Sequence, residues 1–102
     1  MSQRISKEQL TRLQEVVEHK PGLSPEDIAL RHHEFEDLVK QGAISEDDPL
    51  YRKMKMVGAH LKATKGDFPA SLTALEEVLT LARKYKDHEW ELRCLNNIAL
   101  VR

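Results

Sequence analysis

Only three residues, Lys65-Gly66-Asp67, separate two long segments of helical periodicity near the middle of this chain. Two helices joined that tightly must pack antiparallel as a hairpin. Gly66 is expected to take the left-handed conformation that ends the first helix, and Asp67 to cap the second. Phe68 is expected to wedge at the base of the hairpin. Pro69 falls in the first turn, where its missing N–H costs nothing.

The remaining prolines and glycines also fall between periodic segments, giving about five helices and no strand. The first is predicted over Lys7–His19, with Ser6 and Gln9 as a capping box and Leu10, Leu13 and Val17 on one face, and is stopped by Lys20-Pro21-Gly22. The second starts at Ser24-Pro25-Glu26-Asp27, carries Ile28, Phe35, Leu38 and Val39, and ends at Gly42. After an acidic connector, Asp48 and Pro49 open the third, with Leu50, Met54, Val57, Ala59 and Leu61. The fourth carries Leu72, Leu75, Val78, Leu79 and Ala82. Tyr85-Lys86-Asp87 interrupts, and the fifth runs from His88 through Trp90, Cys94, Leu95, Ile98 and Ala99.

A length of 102 residues suits a single helical domain, with 1–45 as an N-terminal hairpin. Sixteen basic and 17 acidic residues leave a net charge of −1, so no global attraction to nucleic acid or an anionic membrane follows. One cysteine, Cys94, makes neither an internal disulfide nor a cysteine-based zinc site. The first 14 residues lack a signal-type apolar core, and no apolar run approaches the roughly 18–20 residues that span a bilayer. A cytoplasmic protein is expected.

Ala59, late in the third helix, and Ala99, late in the fifth, stand 40 residues apart, as Lys62 and Arg102 do. Residues 52–102 resemble the tetratricopeptide repeat family in its longer, roughly 40-residue variety, found in bacterial signalling regulators and animal scaffold proteins. The residues that carry the resemblance are Gly66-Asp67-Phe68, Leu79 to Arg83, Asp87, and Leu95-Asn96-Asn97-Ile98-Ala99. Ser71 departs from the family's usual alanine, and Gly58 stands where a large apolar residue is common. The resemblance implies an all-α, right-handed α-solenoid of antiparallel hairpins, residues 50–102 forming one repeat and the first helix of the next. It also implies a protein or peptide ligand held on the inner face without catalysis or cofactor. Helix phase and resemblance together name Lys55, Lys62, Asn97 and Arg102 for that face, whose cations would favour an acidic peptide or a C-terminal carboxylate. Residues 1–45 fit either a degenerate repeat or a capping hairpin.

Other constellations are weaker. His32-His33-Glu34 with Glu36 and Asp37 puts His33 and Asp37 on one helical face, but two ligands do not make a metal site, and a solvated polar face is expected. Cys94 sits in an apolar run and is expected to be a buried structural thiol. Asn96 and Asn97 either line the groove or bond to a neighbouring helix. A DNA-binding domain with a winged-helix-like N-terminal part is the competing function. It needs helix, turn and helix between Ala29 and Val39, where only nine residues lie. Leu95 and Ile98, with Trp90 as either a core residue or an exposed anchor, are expected at an oligomer interface, because the fifth helix is apolar on more than one side. Two copies packed as a homodimer, or continuation of the natural chain into a longer repeat protein, would cover it.

Overall fold

The computed structural model describes residues 5–101, which form five α-helices and, among the described residues, no strand. They are α1 (Lys7–Val17), α2 (Pro25–Lys40), α3 (Pro49–Thr64), α4 (Phe68–Lys84) and α5 (His88–Val101). The chain divides into two compact units, Met1–Met54 and Lys55–Arg102, with the boundary inside α3. The sequence placed its internal boundary earlier, in the acidic connector.

In the first unit, α1 and α2 begin with the same device. The Ser6 hydroxyl accepts from the Gln9 N–H at 3.1 Å, and Gln9 Oε1 accepts from the Ser6 N–H at 3.0 Å. Ser24 and Asp27 repeat this pair at 3.1 and 3.2 Å. Each box satisfies two N–H groups that a helix start leaves without partners. α1 ends at Val17, two residues earlier than the sequence predicted, because His19 itself turns left-handed at φ +56°. Its N–H and that of Lys20 then reach back to the carbonyls of Val16 and Glu15, at 3.2 and 3.0 Å. Gly42, at φ +75°, ends α2 in the same way, as predicted.

Leu13, Val16, Phe35, Leu38, Ile44, Leu50 and Met54 are buried in this unit. Val16, not Val17, is the fully inward valine of α1. Phe35 meets the Tyr51 ring edge-on at 5.7 Å. Two ion pairs of opposite sense tie α1 to α2. Arg12 makes a two-pronged contact with Glu34, at 3.0 and 2.8 Å, and Arg31 meets Glu15 at 2.9 Å. The pairs step three residues forward on α1 as they step three back on α2, which is the register of an antiparallel hairpin.

The second unit is assembled from the rest of α3, with α4 and α5. Met56, Ala59, Ala74, Leu75, Val78, Cys94 and Ile98 form its core, with Leu72, Leu79, Trp90 and Val101 packed at the edge. Gly66 has φ +83°, and its N–H and that of Asp67 bond back to Ala63 and Lys62, both at 2.9 Å. Asp67 Oδ1 then accepts from the Ala70 N–H at 3.3 Å, so one three-residue turn closes α3 and opens α4. Phe68 departs from expectation. As the first residue of α4 its side chain stands outside the hairpin, 51% exposed, and does not wedge its base. Ser71 takes the inner position instead. It is fully buried, and its hydroxyl donates to the Ala59 carbonyl at 2.8 Å.

The second turn repeats the first 20 residues on. Lys86, at φ +57°, stands where Gly66 does, and the N–H groups of Lys86 and Asp87 bond back to Arg83 and Ala82 at 3.2 and 2.7 Å. Asp87 then accepts from the Trp90 N–H at 3.4 Å, as Asp67 accepts from Ala70. Arg83 on α4 meets Glu91 on α5 at 2.9 Å.

Candidate functional site

Asn97 is a candidate groove residue whose side chain bridges two helices. It sits on α5, half-buried, and its amide reaches α3 at two points. Nδ2 donates to the Arg93 carbonyl at 2.9 Å and points to Met56 Sδ at 3.6 Å. Oδ1 lies 3.3 Å from His60 Nε2, which therefore carries the proton of that contact. The amide, costly to bury without partners, has them within the unit. Asn96, its neighbour, is exposed.

The two lysines lie elsewhere on α3. Lys55 turns toward α4 and meets Glu77 at 3.4 Å. Lys62, seven residues on, shares its stripe and is exposed. Met56 and His60, one helical turn apart, form a different stripe. The structure thus brings Asn97 together with His60 and Met56, not with Lys55. Arg102 lies outside the described residues. Arg93, one turn before Asn97, lies over the Trp90 ring at 5.2 Å and meets Glu89 at 3.2 Å. His60 was missed in the sequence because nothing local couples it to a residue 37 positions away.

The three residues assigned to an oligomer interface separate. Ile98 is buried in the core of its own unit, so it presents no surface, and Trp90 is packed at the edge of that core beneath Arg93. Leu95 alone is exposed. It is accompanied by Leu92 and Leu100, 64% and 84% exposed.

Cys94 is buried, as its apolar surroundings predicted, and desolvation pushes its thiol up to about 11, helped by the negative charge of Asp87. A thiol so placed is a core residue and a poor nucleophile. In the first unit, the acidic and histidine side chains of α2 are drawn into pairs. Glu34 serves Arg12, His32 Nδ1 lies 3.3 Å from Glu36, and His33 Nε2 lies 3.7 Å from Asp37. Among the described residues no group of three or more His, Cys, Asp or Glu is placed to hold a metal ion. α2 is unbroken from Pro25 to Lys40, with no turn between Ala29 and Val39. The unit also has a cleft of about 360 Å³, lined by Leu10, Gln14, Val17 and Glu18 of α1 and by Asp48, Pro49, Leu50 and Lys53. No helix among the described residues is long and apolar enough to cross a membrane.

No family model, no curated protein and no solved structure matches the chain.

Proposed function

We propose that the second unit is a non-catalytic interaction module of tetratricopeptide type, its hairpins stacked as a right-handed solenoid, which binds a protein or peptide segment where α5 meets α3. One observation carries this reading. The turns at Lys65–Asp67 and Tyr85–Asp87 have the same construction, a left-handed residue followed by a capping aspartate, and stand 20 residues apart. Repetition of one turn between helices of similar length is the mark of a helical repeat, and helical repeats present their first helices as a continuous binding surface. On that surface His60 and Arg93 are exposed beside the Asn97 amide, and Lys62 is exposed on another stripe of α3. Arg102 stands 40 residues after Lys62 in the sequence. Exposed cations such as Lys62 suit an acidic segment or a C-terminal carboxylate.

The test is a fluorescence anisotropy titration of the whole chain against a labelled acidic peptide with a free C-terminal carboxylate. Binding should weaken as salt rises, and Lys62→Glu with Arg102→Glu should abolish it while the circular dichroism spectrum is unchanged. Equal binding by the double variant would remove this surface from the account.

A further inference from the structure

Leu13 and Val16 of α1 are buried in the core of the first unit, whereas Leu10 and Val17 are only half-buried and line its cleft. Gln14 lies between them at intervals of four and three, so one face of α1 forms a wall of the cleft. Pro49 and Leu50, in the first turn of α3, supply the rest of the apolar lining. At about 360 Å³ the cleft has the size of a small-molecule site, for which roughly 300–1,000 Å³ is usual.

The charge of the cleft follows from how α1 ends. A helix C-terminus carries partial negative charge, which a basic residue in the last turn offsets. α2, α3 and α4 each have such a residue, Lys40, Lys62 and Arg83 with Lys84. α1 has none. Its C-cap is Glu18, an exposed carboxylate that lines the cleft and makes no ion pair among the described residues. Lys20, two residues on, is held by Glu15. Asp48 adds a second carboxylate, one oxygen of which caps α3 through the Leu50 N–H at 2.9 Å. Lys53 also lines the cleft, and it already has a partner in the fold. Residues 1–54 carry eight Lys and Arg against 11 Asp and Glu, a net charge of −3, so the field of the unit draws cations.

We propose that this cleft binds a small organic cation, an ammonium group on a compact apolar body, with the ammonium against Glu18 at the C-terminal end of α1 and the body against Leu10, Val17 and Leu50. The carboxylate and the negative pole of the helix then act on the same charge. An anion is repelled by both, and a neutral ligand of the same shape gains from neither. The site lies wholly within the first unit and is independent of the surface proposed for peptide binding.

The probe is phenethylammonium, added to the nitrogen-15-labelled whole chain at neutral pH. Phenethyl alcohol supplies the same body without charge, and hydrocinnamate a similar body with a negative one. The amides of Leu10, Gln14, Val17 and Glu18 should shift with phenethylammonium and saturate in the millimolar range, as suits so small a ligand. Phenethyl alcohol should bind about fivefold more weakly or worse, and hydrocinnamate not at all. Glu18→Gln should lower the affinity for the ammonium about threefold and leave that for the alcohol unchanged. Leu10→Ala, which removes part of the apolar wall, should weaken both alike. Both variants should keep the circular dichroism of the parent. Equal affinities for the ammonium and the alcohol, an unchanged ammonium affinity in Glu18→Gln, shifts lying outside the cleft, or no saturation up to about 50 mM would each overturn the proposal. So would tighter binding of a blocked lysine tripeptide than of phenethylammonium, because a protein segment would then be the occupant.

Discussion

The Ser71 hydroxyl donates to the carbonyl of Ala59 across the α3–α4 contact at 2.8 Å, and both residues are fully buried. Here α4 crosses α3 over an alanine, and the serine that faces it satisfies its own hydroxyl on the neighbouring backbone. Ser71→Ala should lower stability by about 1 kcal/mol, the usual worth of such a bond. Ser71→Leu should cost more, roughly 1–3 kcal/mol, because no space separates the helices there. Urea unfolding of the two variants checks the order.

The two matching turns carry different residues in the same left-handed conformation. A Cβ on Gly66 would meet nothing within 4 Å, so the whole cost of Gly66→Ala is backbone strain, about 1 kcal/mol. Lys86 already bears that strain at φ +57°. Lys86→Gly should therefore raise stability by about 0.5–1 kcal/mol, net of the greater freedom glycine has when unfolded. Melting temperatures should move in opposite directions for the two variants.

Cys94 makes stability depend on alkali. Its thiol ionises near 9.0 in the unfolded chain and near 11 in the fold, so between those values the native state holds the extra proton. Stability from this group is complete below about pH 9 and falls as pH rises, by at most about 1.4 kcal/mol per pH unit. Unfolding free energies of the parent and Cys94→Ala should diverge in slope above pH 9. A thiol reagent at neutral pH should label the native protein only at the rate of its unfolding.

Three carboxyl groups are held below their ordinary range for two different reasons. Glu15 is held down by hydrogen bonds from Lys20 and Arg31, and Glu91 by Arg83. Asp27 is held down mainly by the Ser24 backbone N–H. Each stabilises the fold above the unfolded carboxylate range and loses that contribution as pH falls through its native value. Carbon-13 titration should place Glu15 and Glu91 below 4.5 and Asp27 below 3.8. Added salt should shift the two glutamates upward more than the aspartate, because an ion pair open to solvent is screened and a backbone bond is not.

Much of this was legible locally. Caps at Ser6, Ser24, Asp48 and Asp67, and the glycines at 42 and 66, announce helix ends through chemistry contained within five residues. His19 and Lys86 gave no such sign, since neither marks a left-handed position in the sequence as plainly as glycine does. Phe68 misled because its apolar character says nothing about which side of the first turn it occupies. The Arg12–Glu34 and Arg31–Glu15 pairs, and the His60–Asn97 contact, depend on the register between helices, which charge patterns along one helix do not encode. Periodicity likewise marked α5 as broadly apolar without dividing Ile98, turned to the core, from Leu95, turned to solvent.

The surface where α5 meets α3 is the centre of the functional account, and amide chemical-shift mapping tests it most directly. The nitrogen-15-labelled chain is titrated with an acidic peptide bearing a free C-terminal carboxylate. The account predicts the largest shifts at His60, Lys62, Arg93 and Asn97, with Leu10, Gln14 and Lys53 of the first unit unmoved. Shifts confined to the first-unit cleft, or none up to about 1 mM peptide, would contradict it.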